Sequence, residues 1–346
     1  MADTIIPPEE SSPTTQIQRQ VELIGRKFER IEEALHNGPK GLIDYLGLSP
    51  DKYIAKYFEH LPENDLYEAM YGTSAPLRHK PAYIGMKSTL CRQVHFSVDE
   101  FRFWVKAMGR KPRLHRKDWE WFYIAQSLFE AGMLQGGKRG LGFAVGREPL
   151  SALFASYGCD ILATDQAQEQ ARQSGWAVSG QYSDHIESIF EPTVCERDVF
   201  FSHVDYKSMD MNAIPEDQNG LNDFCWSSCS FEHLGSLEHG MRFVERAMET
   251  LKPGGIAVHT TEFNLSSNDE TVESEGLSIY RKRDIQQLAS RLEVSGHQVE
   301  PFDWSVDQGF AESVVDLPPY RQSPHLRLKI DRFDCTSVGI IVRKSL

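Results

Sequence analysis

No run of about 18 apolar residues occurs in this 346-residue chain, so the sequence predicts no membrane-spanning helix. Its cysteines, Cys91, Cys159, Cys195, Cys225, Cys229 and Cys335, form no C-x-x-C pair, which excludes a zinc ribbon or a dithiol redox motif. Several of them sit in apolar runs, as buried free thiols in a reducing compartment do. No basic segment followed by an apolar stretch opens the chain, and a cytoplasmic protein is the expectation. Positive charge is also short: 37 Lys and Arg against 50 Asp and Glu leave a net charge of -13, which argues against a general nucleic-acid binder. One local exception, "GRKPRLHRK" at 109–117, suits either a solvated turn or a contact for an anionic substrate. Internal repeats are absent.

What is present is an ordinary globular composition, 40% hydrophobic and 25% charged. Residues 1–14, rich in Pro, Ser, Thr and Glu, predict a disordered arm. In 15–37, Ile17, Val21, Ile24, Phe28, Ile31 and Leu35 recur at spacings of four and three. That seam suits a coiled coil that makes a homodimer, or equally a helix packed on its own chain. Residues 38–135 read as a mainly helical region. Within it, Lys117–Leu134 predicts a helix with Trp121, Ile124, Leu128 and Ala131 on one stripe.

From 136 to 346 the texture changes to short apolar runs separated by helical segments. Strands are expected near 138–143, 160–164, 199–204, 223–228, 255–261, 297–302 and 337–343, and helices near 149–157, 167–174, 236–251 and 281–293. The fold class that follows is α/β, a doubly wound, mainly parallel seven-stranded sheet with an antiparallel last strand. An insertion near 303–333 interrupts the last strand pair.

"GLGFAVGREP" at 140–149 turns the chain from the first of these strands into its helix. Gly142, Ala144 and Gly146 are small residues that let a backbone approach a ligand closely. The next strand ends at Asp165, where a carboxylate can accept both hydroxyls of a ribose. The G-x-G-x-x-G dinucleotide fingerprint fails in either register. It would need glycine at Val145, or at Ala144 and Arg147, so a nicotinamide pyrophosphate is poorly served.

Three further segments join this loop: "LKPGGIAVHTTE" at 251–262, "DFCWSSCSFEHLGS" at 223–236 and "SHVDYKSM" at 202–209. In order and spacing, residues 137–265 resemble the class I S-adenosylmethionine (SAM)-dependent methyltransferases, and the terminal strand pair does so more loosely. The resemblance implies SAM as the methyl donor. Gly142, Ala144 and Gly146 would line its methionine and ribose portion and Asp165 would hold the ribose. Asp205 and Tyr206 would flank the adenine, with Ser228 and Cys229 beneath the sulfonium. Two departures stand out. Gly140 occupies a place where the family often has an acid, for which Glu148 is the substitute at hand. Ala144 replaces a glycine, which a negative φ would accommodate.

Methyl transfer to a hydroxyl needs a base, so polar residues at strand ends are the catalytic candidates: His233, Glu232 and Glu262. Glu232 and His233 also resemble part of the E-x-x-E-H metal motif of some O-methyltransferases. Here Cys229 stands in place of the first acid and removes a hard oxygen ligand, and no metal is expected. His259 and the insertion residues Tyr320, Arg321 and His325 are candidate acceptor contacts. Such aromatic and charged loop residues suit a small polar acceptor, with a sugar or glycan precursor favoured. An RNA or protein methyltransferase and a non-catalytic scaffold with this fold are the alternatives.

Overall fold

The computed structural model describes residues 65–71, 80–173, 181–307, 309–320 and 323–346. The expected arm, the Ile17–Leu35 helix with its dimer and Arg321 lie outside the described residues. In chain order the elements are α1 (Asp65–Tyr71), β1 (Ser88–Leu90), α2 (Asp99–Ala107), α3 (Arg116–Glu130), β2 (Arg139–Phe143), α4 (Leu150–Ser156), β3 (Asp160–Asp165) and α5 (Gln168–Gln173). They continue with α6 (Arg197–His203), β4 (Val204–Ser208), β5 (Asn222–Ser228), α7 (Leu237–Glu249), β6 (Leu251–Asn264), α8 (Lys282–Val294), β7 (Gln298–Val299) and β8 (Phe302–Asp303). The insertion contributes α9 (Phe310–Ser313), β9 (Val315–Asp316) and β10 (Arg327–Ile330), and β11 (Phe333–Arg343) closes the chain.

The sheet order is β4-β3-β2-β5-β6-β11-β1-β8. Strands β2 to β6 are mutually parallel, and β11 runs antiparallel to β6. Among the described residues the sheet has eleven strands where seven were expected. The additions are β1, from the region read as helical, the insertion strands β9 and β10, and β8. The strand expected over 297–302 breaks at Pro301, which has no N–H for a ladder, and its two halves pair separately with β11 and β1.

The apolar run 199–204 is a second correction, because it ends a helix and the strand begins only at Val204. Phe200 is buried there and packs with Phe190 and Phe201, ring centroids 5.1 Å away in each case, while Arg197 lies over Phe190 and Phe201. This aromatic packing outweighs the local strand preference. Third, α3 is buried around its whole circumference from Asp118 to Leu128 rather than along one stripe. It lies across β5, β6 and β11 and also against α2, so the described residues from 80 to 135 share a core with the sheet. The helix starts because the His115 side chain accepts a hydrogen bond from the Lys117 N–H at 3.0 Å, capping its first turn.

Candidate active site

A cavity of about 1460 Å³ opens at the carboxyl ends of the parallel strands, beside β2, whose neighbours β3 and β5 lead the chain in opposite directions. This switch point is where ligands of open α/β sheets bind. The volume exceeds the ~300–1,000 Å³ of a single small-ligand site, room for a donor and an acceptor together.

The turn after β2 carries Ala144, Val145, Gly146, Arg147 and Glu148 into the wall. Ala144 has φ +47°, not the negative value its methyl group prefers, at a cost of about 1–2 kcal/mol relative to glycine. Gly146, at φ +52°, lies so close to the Gln181 carbonyl that an added Cβ would overlap it. Gly142 is a correction. It sits inside β2 away from the cavity, where a Cβ would run into the Trp226 ring, as one at Gly140 would meet Phe224. These two glycines make room for aromatic rings on β5, and the Phe154 ring of α4 closes edge-on against both rings.

Asp165 ends β3 in the cavity wall, 6% exposed. One carboxylate oxygen accepts from the Gly146 N–H at 3.2 Å and the Ser183 N–H at 3.4 Å, and the other from the Gln166 N–H at 2.8 Å. Burial raises its pKa to about 6, against the opposing pull of these backbone donors. The neighbouring strand end contributes Met209, Asp210, Met211 and Asn212. Asp205 and Tyr206, expected to flank an adenine, do not line the cavity, because β4 starts late. Asp205 is exposed mid-strand, and the Tyr206 hydroxyl donates to the Ser183 carbonyl at 2.7 Å.

Glu148 is buried, and its Oε1 accepts from the Trp226 indole N–H at 2.6 Å. Burial pushes its pKa to about 8, while the indole hydrogen bond and Lys117 pull the other way. With a folded-state pKa above the unfolded one, its contribution to stability is complete below about pH 4.5 and is lost as pH rises through about 8. Glu148→Gln is therefore expected to flatten the pH dependence of urea unfolding. Its stability relative to the unaltered protein should rise by about 3 kcal/mol between pH 6 and 9. Parallel pH profiles would show that the carboxyl is ionised throughout.

At the end of β5, Ser228 and Cys229 face the cavity, Cys229 at φ +46° with its N–H bonded to the Thr260 carbonyl at 3.0 Å. Glu232 follows in a one-turn helix, its Oε2 accepting from the Thr261 hydroxyl at 2.9 Å. Glu262, near the end of β6, pairs with Arg116 and is pushed up in pKa chiefly by burial, with Arg116 opposing. Glu232 Oε1 and Glu262 Oε2 are buried without a hydrogen-bond partner. Donor atoms of Cys229, Glu232 and Glu262 lie within 4.8 Å of one another, a spacing one cation could bridge, although Arg116 already neutralises Glu262. His233 also lines the cavity, with its Nδ1–H donating to the Gly276 carbonyl at 2.7 Å.

His259 is a further correction. It is fully buried in β6, its Nδ1 shares a 2.8 Å hydrogen bond with Ser227, and burial drops its pKa to about 3. It is a core histidine between the rings of Phe231 and Phe243. From the insertion, Tyr320 and His325 reach the cavity. The Tyr320 hydroxyl donates to the Lys329 carbonyl at 2.8 Å.

The start of α3 carries the end of the basic run, for which a solvated turn and an anionic-substrate contact were both open, but its tie to Glu120 and the strands was not foreseen. His115, Arg116, Lys117 and Trp121 line the cavity, and the buried Glu120 ties them to the strand ends. Lys117 Nζ lies 2.6 Å from Glu120 Oε2 and Arg116 3.7 Å from its Oε1. The hydroxyls of Ser337 and Ser228 donate to the same carboxylate at 2.6 and 3.2 Å. The signal was the basic run at 109–117, whose last two residues stand three and four positions before Glu120.

The sheet order, the antiparallel β11 and the site beside the turn after β2 decide the fold. It is a doubly wound, mainly parallel α/β sheet with an antiparallel β11, the order expected from the resemblance in sequence. No protein-family model and no curated protein matches the chain. Solved structures that resemble it include phosphoethanolamine N-methyltransferase 2 from Haemonchus contortus in complex with SAM. The two are 11% identical with a TM-score of 0.41, and the match covers 83% of this chain and 60% of that one. A SAM-dependent methyltransferase from Aquifex aeolicus is 14% identical with a TM-score of 0.36, over 63% of this chain and 88% of that one. A candidate sarcosine dimethylglycine methyltransferase from Galdieria sulphuraria is 15% identical with a TM-score of 0.39, over 72% of this chain and 99% of that one. Likenesses this distant say nothing about the acceptor.

Proposed function

We propose that this protein is a SAM-dependent methyltransferase that methylates a hydroxyl of a small polar acceptor, a sugar or glycan precursor. The observation that carries the reading is Asp165, a buried carboxylate at the end of β3 that faces the cavity across from the bare turn at Ala144–Gly146. Three backbone N–H groups fix its oxygens and leave one lone-pair site, on Oδ1, for a ribose hydroxyl. Glu148 supplies the acid absent at Gly140, and Met209 and Met211 offer apolar surface for a purine at the end of β4.

SAM supplies an electrophilic methyl group, and the chain has to hold the acceptor in line with it. Glu232 Oε1 and Glu262 Oε2 support a polyhydroxylated acceptor, because a buried carboxylate oxygen without a donor costs ~1–3 kcal/mol or more until a ligand hydroxyl satisfies it. Arg116 and Lys117 are engaged by Glu262 and Glu120, which favours a neutral acceptor over a phosphorylated one. Six free cysteines, five of them buried, support a reducing, cytoplasmic setting. No helix among the described residues is long and apolar enough to cross a membrane.

The reading is tested by titrating the purified chain with SAM in a calorimeter, then incubating it with methyl-labelled SAM and a cell extract. Saturable binding, release of S-adenosylhomocysteine and label in small hydroxylated compounds are expected. Absence of saturable binding removes the methyltransferase reading. Label confined to RNA or protein removes the small-molecule acceptor.

A further inference from the structure

We propose that the stacked rings of His115 and His325 form the hydroxyl site of the methyl acceptor, with Nε2 of His325 as its general base. The inference rests on the methyltransferase reading above and adds the acceptor subsite to it.

Both histidines line the cavity, their ring centroids 4.6 Å apart at an interplanar angle of 29°. Nδ1 of His325 lies 2.6 Å from Asp316 Oδ2. A carboxylate only accepts, so Nδ1 carries the proton and Nε2 of the neutral ring keeps its lone pair. His115 has the opposite arrangement. Its Nδ1 accepts the Lys117 N–H at 3.0 Å, so in the neutral ring Nε2 carries the proton. One ring of the stack is thus an acceptor at Nε2 and the other a donor. A hydroxyl is the group that satisfies both, giving its proton to one and receiving a hydrogen bond from the other.

The stack is fixed from both sides. The His325 N–H donates to the Leu114 carbonyl at 2.7 Å, and the Arg116 N–H donates back to the His325 carbonyl at 3.0 Å. Asp316 is 3% exposed and His325 5%, so little solvent competes for this hydrogen bond. The charged and titratable neighbours are Asp316 and Tyr320 from the insertion, and Arg113, Arg116 and Lys117 beside His115 on the α3 side. Burial first, then His325 and these cations, hold His115 well below its ordinary pKa and hence neutral. His233 is oriented differently, its Nδ1–H spent on a loop carbonyl.

In the transfer, the acceptor O–H proton moves to Nε2 of His325 as the new oxygen–methyl bond forms. The methyl–sulfur bond breaks with its electron pair staying on sulfur, which becomes a neutral thioether. The imidazolium left behind is paired with Asp316 and returns its proton to water after product release.

Two measurements test this. Nitrogen-15 histidine NMR of the protein without SAM at pH 8, assigned with His325→Gln, is expected to show a ring protonated at Nδ1 and bare at Nε2. Asp316→Asn should abolish that tautomer. For turnover, methyl-labelled SAM is supplied with the low-molecular-weight fraction of a cell extract as acceptor source. His325→Gln should lower kcat by about 100-fold or more, remove the acid limb of the pH profile of kcat measured at saturating SAM, and leave the SAM Kd within about twofold. His115→Phe, which keeps the stack and drops the donor, should act mainly on acceptor KM, by about tenfold for one lost hydrogen bond. A His325 ring protonated at Nε2 would overturn the proposal, as would unchanged turnover or an acid limb that survives in His325→Gln. If that variant does not fold, Asp316→Asn carries the same tautomer and pH tests. Failure of these tests with SAM still bound refutes the subsite alone. Absence of SAM binding in the unaltered protein refutes it together with the methyltransferase reading.

Discussion

Replacing Asp165 with alanine is expected to raise the Kd for SAM about 100-fold, equivalent to ~2.7 kcal/mol. A hydrogen bond to a charged acceptor contributes about 1.5–3 kcal/mol, and with three of the carboxylate's roughly four lone-pair sites taken by backbone N–H groups a ribose would lose one of them. The loss is partly offset because the unliganded carboxylate is itself costly to bury, as its pKa of about 6 records. That value also sets a pH dependence. The form that accepts a ribose hydroxyl is the carboxylate, so affinity should be constant above about pH 7 and fall as pH drops through about 6. Calorimetry between pH 5 and 8 measures both effects. The backbone N–H groups of Gly146, Gln166 and Ser183 lose their acceptor in the same variant, so urea unfolding is needed as a control. Asp165→Asn, which keeps one acceptor oxygen, should fall between the two proteins. A Kd unchanged in Asp165→Ala would mean that the ligand does not rest on β3, and the proposed cofactor pose would be wrong.

The parts of this architecture legible in the sequence were those where local pattern and packing agree. Strands β2, β3 and β5 fall within a residue or so of where alternation and turn residues placed them, and Asp165 stands at its strand end as the spacing implied. Error entered where one signal has two physical causes. Glycine permits a close approach by a ligand or by a neighbouring ring, and Gly140 and Gly142 serve the rings of Phe224 and Trp226. An apolar run suits a strand or a helix end, and the aromatic cluster around Phe200 selected the helix, so that residues 209–212 line the cavity and Asp205 and Tyr206 do not. A histidine in a strand points to either face, and His259 faces the core. The largest omission was long-range. Nothing local in "HRKDWEW" says that its charges meet Ser228, Glu262 and Ser337, which lie more than a hundred residues away. His325 was named as an acceptor contact. Its partner across the stack, His115, lies 210 positions earlier and carried no signal of its own.

Those long-range contacts make Glu120 the residue whose loss should cost most in stability. Glu120 is fully buried, and Arg116, Lys117, Ser228 and Ser337 all converge on its carboxylate. Burial alone would raise its pKa, but Lys117, then Arg116, overcome that and bring it down to about 2. A depressed folded-state pKa means that the ionised group's contribution is present above about pH 4.5 and is lost as pH falls through about 2. Glu120→Ala removes the anion and leaves Lys117 largely desolvated without its carboxylate and Arg116 with Glu262 alone, a change that typically costs ~3–5 kcal/mol. Glu120→Gln keeps acceptors for the two serine hydroxyls, so it should recover part of that loss and no more. Urea unfolding at pH 7 gives both numbers. Lowering the pH from 7 toward 2 should show the unaltered protein and Glu120→Gln converging, because the unfolded state takes up the proton first, below about pH 4.5, and the native side chain follows near 2. A loss under about 1 kcal/mol in Glu120→Ala would place the group with solvent-exposed ion pairs, in conflict with its burial. The predicted loss is also local to function, since the same carboxylate holds the first turn of α3 against the end of β5 and the middle of β11. An Arg116 released from Glu120 would turn wholly to Glu262, one of the two carboxylates proposed to meet the acceptor. Acceptor KM should therefore rise in Glu120→Gln even at temperatures where the variant is fully folded.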